Sequence, residues 1–182
     1  ALAEARRAHT SVRLYDESMQ TKQEYENNLR WVGILRDAIA TDRIVPFFQP
    51  IVRTETGRPE KYECLMRIED RSGRVVSPGE FLGVAKASKL YPELSRRMIA
   101  RSFEVLRDTD LEFSLNLSID DILSPETIAV IRECLDGFRR RDSVIFEILE
   151  SEGIDRYDLV SSFIAEMKDR GCRIAIDDFG TG

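Results

Sequence analysis

The chain has 182 residues, of which 42% are hydrophobic, and a formal charge of −6, so it is long enough to bury a sizeable core. Basic and acidic residues balance at seven each through Arg43, and the remainder carries 20 basic against 26 acidic, a sign that argues against general nucleic-acid binding. No stretch approaches the ~20 apolar residues of a membrane span and no cleavable signal is apparent; Cys64, Cys134 and Cys172 lack any CxxC spacing and read as reduced residues of a cytoplasmic protein, with membrane anchoring of a longer parent left open.

Residues 1–8 are helix-like and 11–15 read as a short strand. Residues 16–42 form a long predicted helix with Tyr25, Leu29, Val32, Leu35 and Ile39 on one side, a packing face suited to an interdomain or dimer helix. A strand follows near Val45. Thr56-Gly57-Arg58-Pro59 supplies a hairpin turn, so the next strand, over 62–68, is expected to run antiparallel to it. Helices are predicted over 81–89, 91–107, 125–139 and 157–170, and strands over 111–118, 143–150 and 173–176. Ser124 before Pro125 reads as an N-cap, and Gly171 as a helix C-cap. The run Arg139-Arg140-Arg141 reads as a solvated helix end. His9 lies far from every strand.

The strands carry the chemistry. Alternation in 62–68 puts Glu63, Leu65 and Arg67 on one face and Cys64, Met66 and Ile68 on the other. Asn116 sits among leucines, Glu147 follows a β-branched and aromatic run, and Asp177 stands where the last strand meets the turn Asp178-Phe179-Gly180-Thr181-Gly182. In a β/α alternation the outer face of each strand is covered by helices, so oxygen ligands repeated on four successive strands point inward, and inward acids need a cation. Hard oxygen donors without a histidine or cysteine set favour Mg²⁺ or Mn²⁺, in a one-metal or two-metal site that activates water and neutralises phosphate oxygens. Arg67 offers a guanidinium for bidentate phosphate contact or, alternatively, a structural salt bridge.

From Ile44 onward the chain resembles the EAL domain, the cyclic di-GMP phosphodiesterase of bacterial second-messenger signalling. The motifs that carry the resemblance are Phe47-Phe48-Gln49-Pro50-Ile51-Val52, Glu63-Cys64-Leu65-Met66-Arg67, Ser77-Pro78-Gly79-Glu80-Phe81-Leu82, Asn116-Leu117-Ser118, Phe146-Glu147-Ile148-Leu149-Glu150-Ser151 and Asp177-Asp178-Phe179-Gly180-Thr181-Gly182. Cys64 stands where alanine is usual and Leu149 where threonine is common. The resemblance implies an α/β fold, a TIM-like (β/α) barrel of EAL type, incomplete in this chain, with residues 44–182 as its N-terminal portion and 1–43 as a linker helix behind a segment similar to the tail of a GGDEF domain. It implies that Glu63, Asn116, Glu147 and Asp177 bind a first Mg²⁺ or Mn²⁺, that Asp177 bridges to a second ion also held by Asp178, and that Gln49, Leu65, Arg67 and Pro78 line the cyclic di-GMP pocket. Glu63 and Asp177 are then the catalytic pair, and the reaction is hydrolysis to linear pGpG.

Family members also use a lysine and a glutamate from later strands, beyond Gly182, so the parent protein is expected to be the enzyme and this chain alone to be inactive. Its open sheet edge is expected to promote a homodimer or other self-association. The alternative is a non-hydrolysing EAL-like receptor or a protein-interaction module. A barrel glycosidase using Glu63 and Glu147 explains neither Asn116 nor the Asp177-Asp178 pair.

Overall fold

The computed structural model describes residues 17–149 and 157–177, with side chains for 23–148 and 157–176. The helix and strand expected over residues 1–15 lie outside the described residues. Twelve elements follow in order: α1 (Glu17–Ala40), β1 (Ile44–Val52), β2 (Pro59–Glu69), β3 (Val75–Val76), α2 (Pro78–Ala87), α3 (Tyr91–Leu106), β4 (Glu112–Leu117), α4 (Ile119–Leu123), α5 (Pro125–Asp136), β5 (Val144–Leu149), α6 (Tyr157–Asp169) and β6 (Arg173–Asp177). A short 3₁₀ turn, Arg141–Ser143, leads into β5.

The main strands lie in the order β1-β2-β4-β5-β6, with β3 paired on β2. β1 and β2 are antiparallel, joined by the expected turn in which Gly57 takes φ 64°. From β2 to β6 every neighbouring pair is parallel, as helical crossovers require. The result is the incomplete TIM-like barrel wall that the sequence predicts.

One face of this wall meets the helices. Cys64, Ile68, Phe113, Leu115, Leu117, Phe146 and Ile148 are buried there, in one core with Leu94, Met98 and Phe103 of α3, Ile131 and Leu135 of α5, and Phe163 and Met167 of α6. Phe103, Phe113 and Phe138 meet edge to face with centroids 5.2–5.7 Å apart, a geometry that adds to their area burial. Strand pleating sends the residues between these to the opposite, inner face, which is where Glu63, Asn116 and Glu147 stand.

Local signals set the boundaries. The Ser124 hydroxyl accepts from the Thr127 amide at 3.2 Å, with Pro125 at the first helical position. Gly171 ends α6 with φ 92°, a conformation that penalises any Cβ. Several expectations need correction. α2 begins at Pro78 rather than 81, because the proline fixes the first helical φ. β3 and α4 carry too few residues for any periodicity to show. α5 stops at Asp136, so the arginines lie beyond the helix; Arg139 is exposed as expected, whereas Arg140 Nη1 donates to the Asp110 carbonyl at 2.7 Å and Arg141 Nε to the Leu135 carbonyl at 2.8 Å. The apolar stripe of α1 is only partly a packing face, since Leu35 is fully buried while Tyr25 and Leu29 are 63% and 54% exposed.

Candidate functional site

Backbone register brings the sequence-predicted ligands onto one face of the wall, within a pleat period or two of one another along the strands. Glu63 pairs with Ser114 across β2 and β4, Asn116 with Glu147 across β4 and β5, and Glu147 with Ala175 across β5 and β6. Residues paired in register share a face, so Glu63, Asn116 and Glu147 point the same way from three adjacent strands. The Asn116 Nδ2 donates to Glu63 Oε1 at 2.7 Å. Asp177 ends β6, where its backbone pairs with Leu149, two residues beyond the Glu147 and Ala175 pair. Its side chain and the whole of Asp178 lie outside the described residues, where two of the five expected metal ligands therefore remain.

Sequence reasoning missed Lys61. It lies two residues before Glu63, hence on the same strand face, and its Nζ donates to Glu147 Oε1 at 3.1 Å. The pair is sheltered, with side-chain exposures of 26% and 13%. The i, i+2 spacing from Glu63 was the available signal. On the same face Arg173 pairs with Glu112.

The remaining predicted residues divide in two. Leu65 and Pro78 line one cavity of about 240 Å³, together with Asn116 and, from the flanking helices, Leu82 and Tyr91. Gln49 and Arg67 are not among its lining residues. Gln49 is exposed on β1 opposite Glu63. Arg67 is half-buried: its guanidinium carbon lies 5.7 Å from the centre of the Phe47 ring and its Nη1 donates to the Met66 carbonyl at 2.7 Å. Among the described residues no carboxylate is paired with it.

Behind the cluster, burial pushes the Cys64 thiol up to about 12, with the Glu63 and Glu147 charges adding to the effect. The thiol is an inert core group facing α3, as the strand alternation predicts. The cavity's other wall is fixed by Asp121, which accepts from the Tyr91 hydroxyl at 2.8 Å, the Ser118 hydroxyl at 2.7 Å and the Ser118 amide at 3.0 Å. Burial, followed by the nearby Asp121 charge, raises the Tyr91 phenol further above its ordinary range.

Whether these residues suit a divalent cation can be judged from the donor set. Among the described residues no three carboxylate, imidazole or thiol groups converge; the cluster is two glutamates and an amide, all hard oxygen donors once Asn116 presents its Oδ1. The Glu147 carboxylate is sheltered enough to need a cation, and the Lys61 ammonium stands in for one. The set fits a hard divalent ion.

A family model described as "EAL domain" matches residues 32–182. The chain belongs to the EAL domain family. It is 29% identical over 182 residues to "Signaling protein YkoW" of Bacillus subtilis (strain 168), an alignment that takes in 97% of this chain and 22% of that protein. It is 32% identical over 159 residues to "Probable cyclic di-GMP phosphodiesterase PdeG" of Escherichia coli (strain K12), covering 82% of this chain and 31% of that protein. The crystal structure of the Xanthomonas citri FimX EAL domain in complex with c-diGMP superposes with a TM-score of 0.77 at 24% identity, over 88% of this chain and 65% of that one, a likeness of fold. The chain thus spans less than a third of the length of these two curated relatives. Among the described residues, no helix is long and apolar enough to cross a membrane.

Proposed function

We propose that residues 44–182 are the N-terminal portion of an EAL domain whose parent protein hydrolyses cyclic di-GMP to linear pGpG in second-messenger signalling, with residues 1–43 as a linker behind an upstream domain. The observation that carries this reading is the inward convergence of Glu63, Asn116 and Glu147 from three adjacent parallel strands. Strand ends of this architecture are where barrel enzymes place their chemistry. The family relationship and a relative named as a probable cyclic di-GMP phosphodiesterase support the substrate. On this reading Glu63, Asn116, Glu147, Asp177 and Asp178 hold one or two Mg²⁺ or Mn²⁺ ions, which when bound supply an activated water and neutralise phosphate oxygens.

The chain's own residues bind and orient the dinucleotide. Leu65 and Pro78 give apolar contact for a base, Gln49 offers an amide from β1, and Arg67, with no carboxylate paired to it among the described residues, offers a guanidinium to a phosphate oxygen. The sheet ends at β1 and β6, each paired on one side only among the described residues, which supports closure against further strands of the parent or against a second chain.

The test is the full-length protein incubated with cyclic di-GMP and Mn²⁺, with pGpG followed by chromatography. Glu63→Ala is expected to abolish hydrolysis while circular dichroism stays native, because it removes a ligand but relieves repulsion among acids. Near-normal turnover by that variant would remove the ligand assignment; nucleotide binding without any hydrolysis by the wild type would make the protein a receptor.

A further inference from the structure

We propose that Lys61 is a metal-affinity determinant: its ammonium is the resident counter-ion of Glu147 and competes with the divalent cation for that carboxylate. The inference rests on the metal reading of the Glu63, Asn116 and Glu147 cluster and goes beyond it by assigning a cationic residue that no metal-binding logic would place there. Lys61 leaves β2 on the same face as Glu63, one pleat period earlier, and its stem runs along the inner wall past β4 to reach Glu147 Oε1 on β5 at 3.1 Å. The contact joins residues 86 positions apart in sequence and is sheltered at both ends, unlike the solvent-facing pair Arg101 and Glu104 on α3. Sheltering raises the effective strength of the pair above that of a surface salt bridge.

The physical consequence follows from like-charge exclusion. A divalent ion on the Glu147 oxygen would face the ammonium across a few ångströms, so the lysine must withdraw or the ion must bind against its repulsion. Either cost is paid on binding, and apparent metal affinity falls. Conversely, with no divalent ion bound, Lys61 neutralises Glu147, and part of the repulsion within the acidic cluster is relieved. Lysine suits this role because its charge sits on a long flexible stem that can leave without disturbing the strand. No acid other than Glu147 pairs with Lys61 among the described residues.

The variant that isolates the effect is Lys61→Met in the full-length protein, which keeps the length and apolar stem and removes the charge; Lys61→Gln is a second, polar version. Mn²⁺ affinity is measured by calorimetry and by the loss of free-ion electron paramagnetic resonance signal. Both variants are expected to bind Mn²⁺ about tenfold more tightly, the scale of one charge-assisted hydrogen bond no longer surrendered. Lys61→Arg, which keeps the charge, is expected to stay near wild type. Melting temperatures should cross, with Lys61→Met less stable than wild type in chelator and gaining more on adding Mn²⁺, a crossing that a purely structural lysine would not produce. Unchanged or weaker Mn²⁺ affinity in both neutral variants overturns the role of Lys61. Absence of Mn²⁺ binding in wild type and variants alike would instead remove the metal reading, and the inference with it.

Discussion

Asp121 shows how a single side chain supports the site without touching it. It is 1% exposed, sits at the third position of α4, and accepts from the Ser118 hydroxyl and amide and from the Tyr91 hydroxyl, while the Ser118 hydroxyl accepts from its own amide. This is a reciprocal capping box with a tyrosine attached. It fixes the turn two residues beyond Asn116 and ties α3, through Tyr91, to the end of β4. Replacing Asp121 by alanine removes the acceptor of two buried Ser118 donors and of the half-buried Tyr91 hydroxyl, and each buried loss costs about 1–3 kcal/mol with imperfect additivity. Asp121→Ala is therefore expected to cost about 3 kcal/mol in urea unfolding and to weaken metal binding, because the strand end that carries Asn116 loses its anchor. A loss below ~1 kcal/mol would show that the network is slack. The sequence displays the Ser118 and Asp121 spacing openly, but α4 has five residues and no period to announce it.

Among the elements, α1 owes its junction with the sheet to charge as well as to the buried Leu35 and Ala38. Asp37 accepts from Arg71 Nε at 2.9 Å and Nη2 at 2.5 Å, and also pairs with Arg43, whose Nη1 donates to the Glu69 carbonyl at 2.8 Å. One helix residue thereby holds the start of β1 and the turn after β2. The hydrogen bond from Arg71 is the main reason the Asp37 carboxyl titrates below its ordinary value of 3.8. A carboxylate with a depressed folded value stabilises the fold above the unfolded value and loses that contribution as pH falls through the folded one. Asp37→Asn is thus expected to lower the melting temperature near pH 7 and to converge on wild type only as pH falls through the depressed folded value, below the ordinary 3.8, where wild type loses the same charge; a melting difference independent of pH would assign the effect to packing. Element type was readable from sequence wherever a period ran long enough, as in α3, α6 and β2. The half-buried stripe of α1 was not, because an apolar repeat reports which residues can pack and is silent on how far a partner surface extends along them.

For the whole molecule, the inner wall was legible because pleating converts a one-residue alternation into a face: Glu63, Asn116 and Glu147 could be placed together before any register was known. Lys61 escaped notice because its partner is set by strand order, which sequence spacing does not encode. Strand order also puts the acids where their charges add. With an overall charge of −6 and two glutamates aimed into one cleft, the field opposes a dianionic dinucleotide, and at ~4 Å like charges repel by about 1 kcal/mol in water and several times that in a sheltered cleft. Lys61 and Arg67 offset only part of this. A bound divalent cation would reverse the sign. Chelation is therefore expected to weaken binding of a hydrolysis-resistant phosphorothioate analogue of cyclic di-GMP to the full-length protein by at least ~tenfold at low ionic strength, as read by calorimetry. Salt screens the repulsion left by the missing ion, with a Debye length of about 8 Å at 0.15 M, so the deficit should narrow as salt rises. Equal affinity with and without the cation at low salt would mean that the phosphates bind away from Glu63 and Glu147, in contact with Arg67 alone.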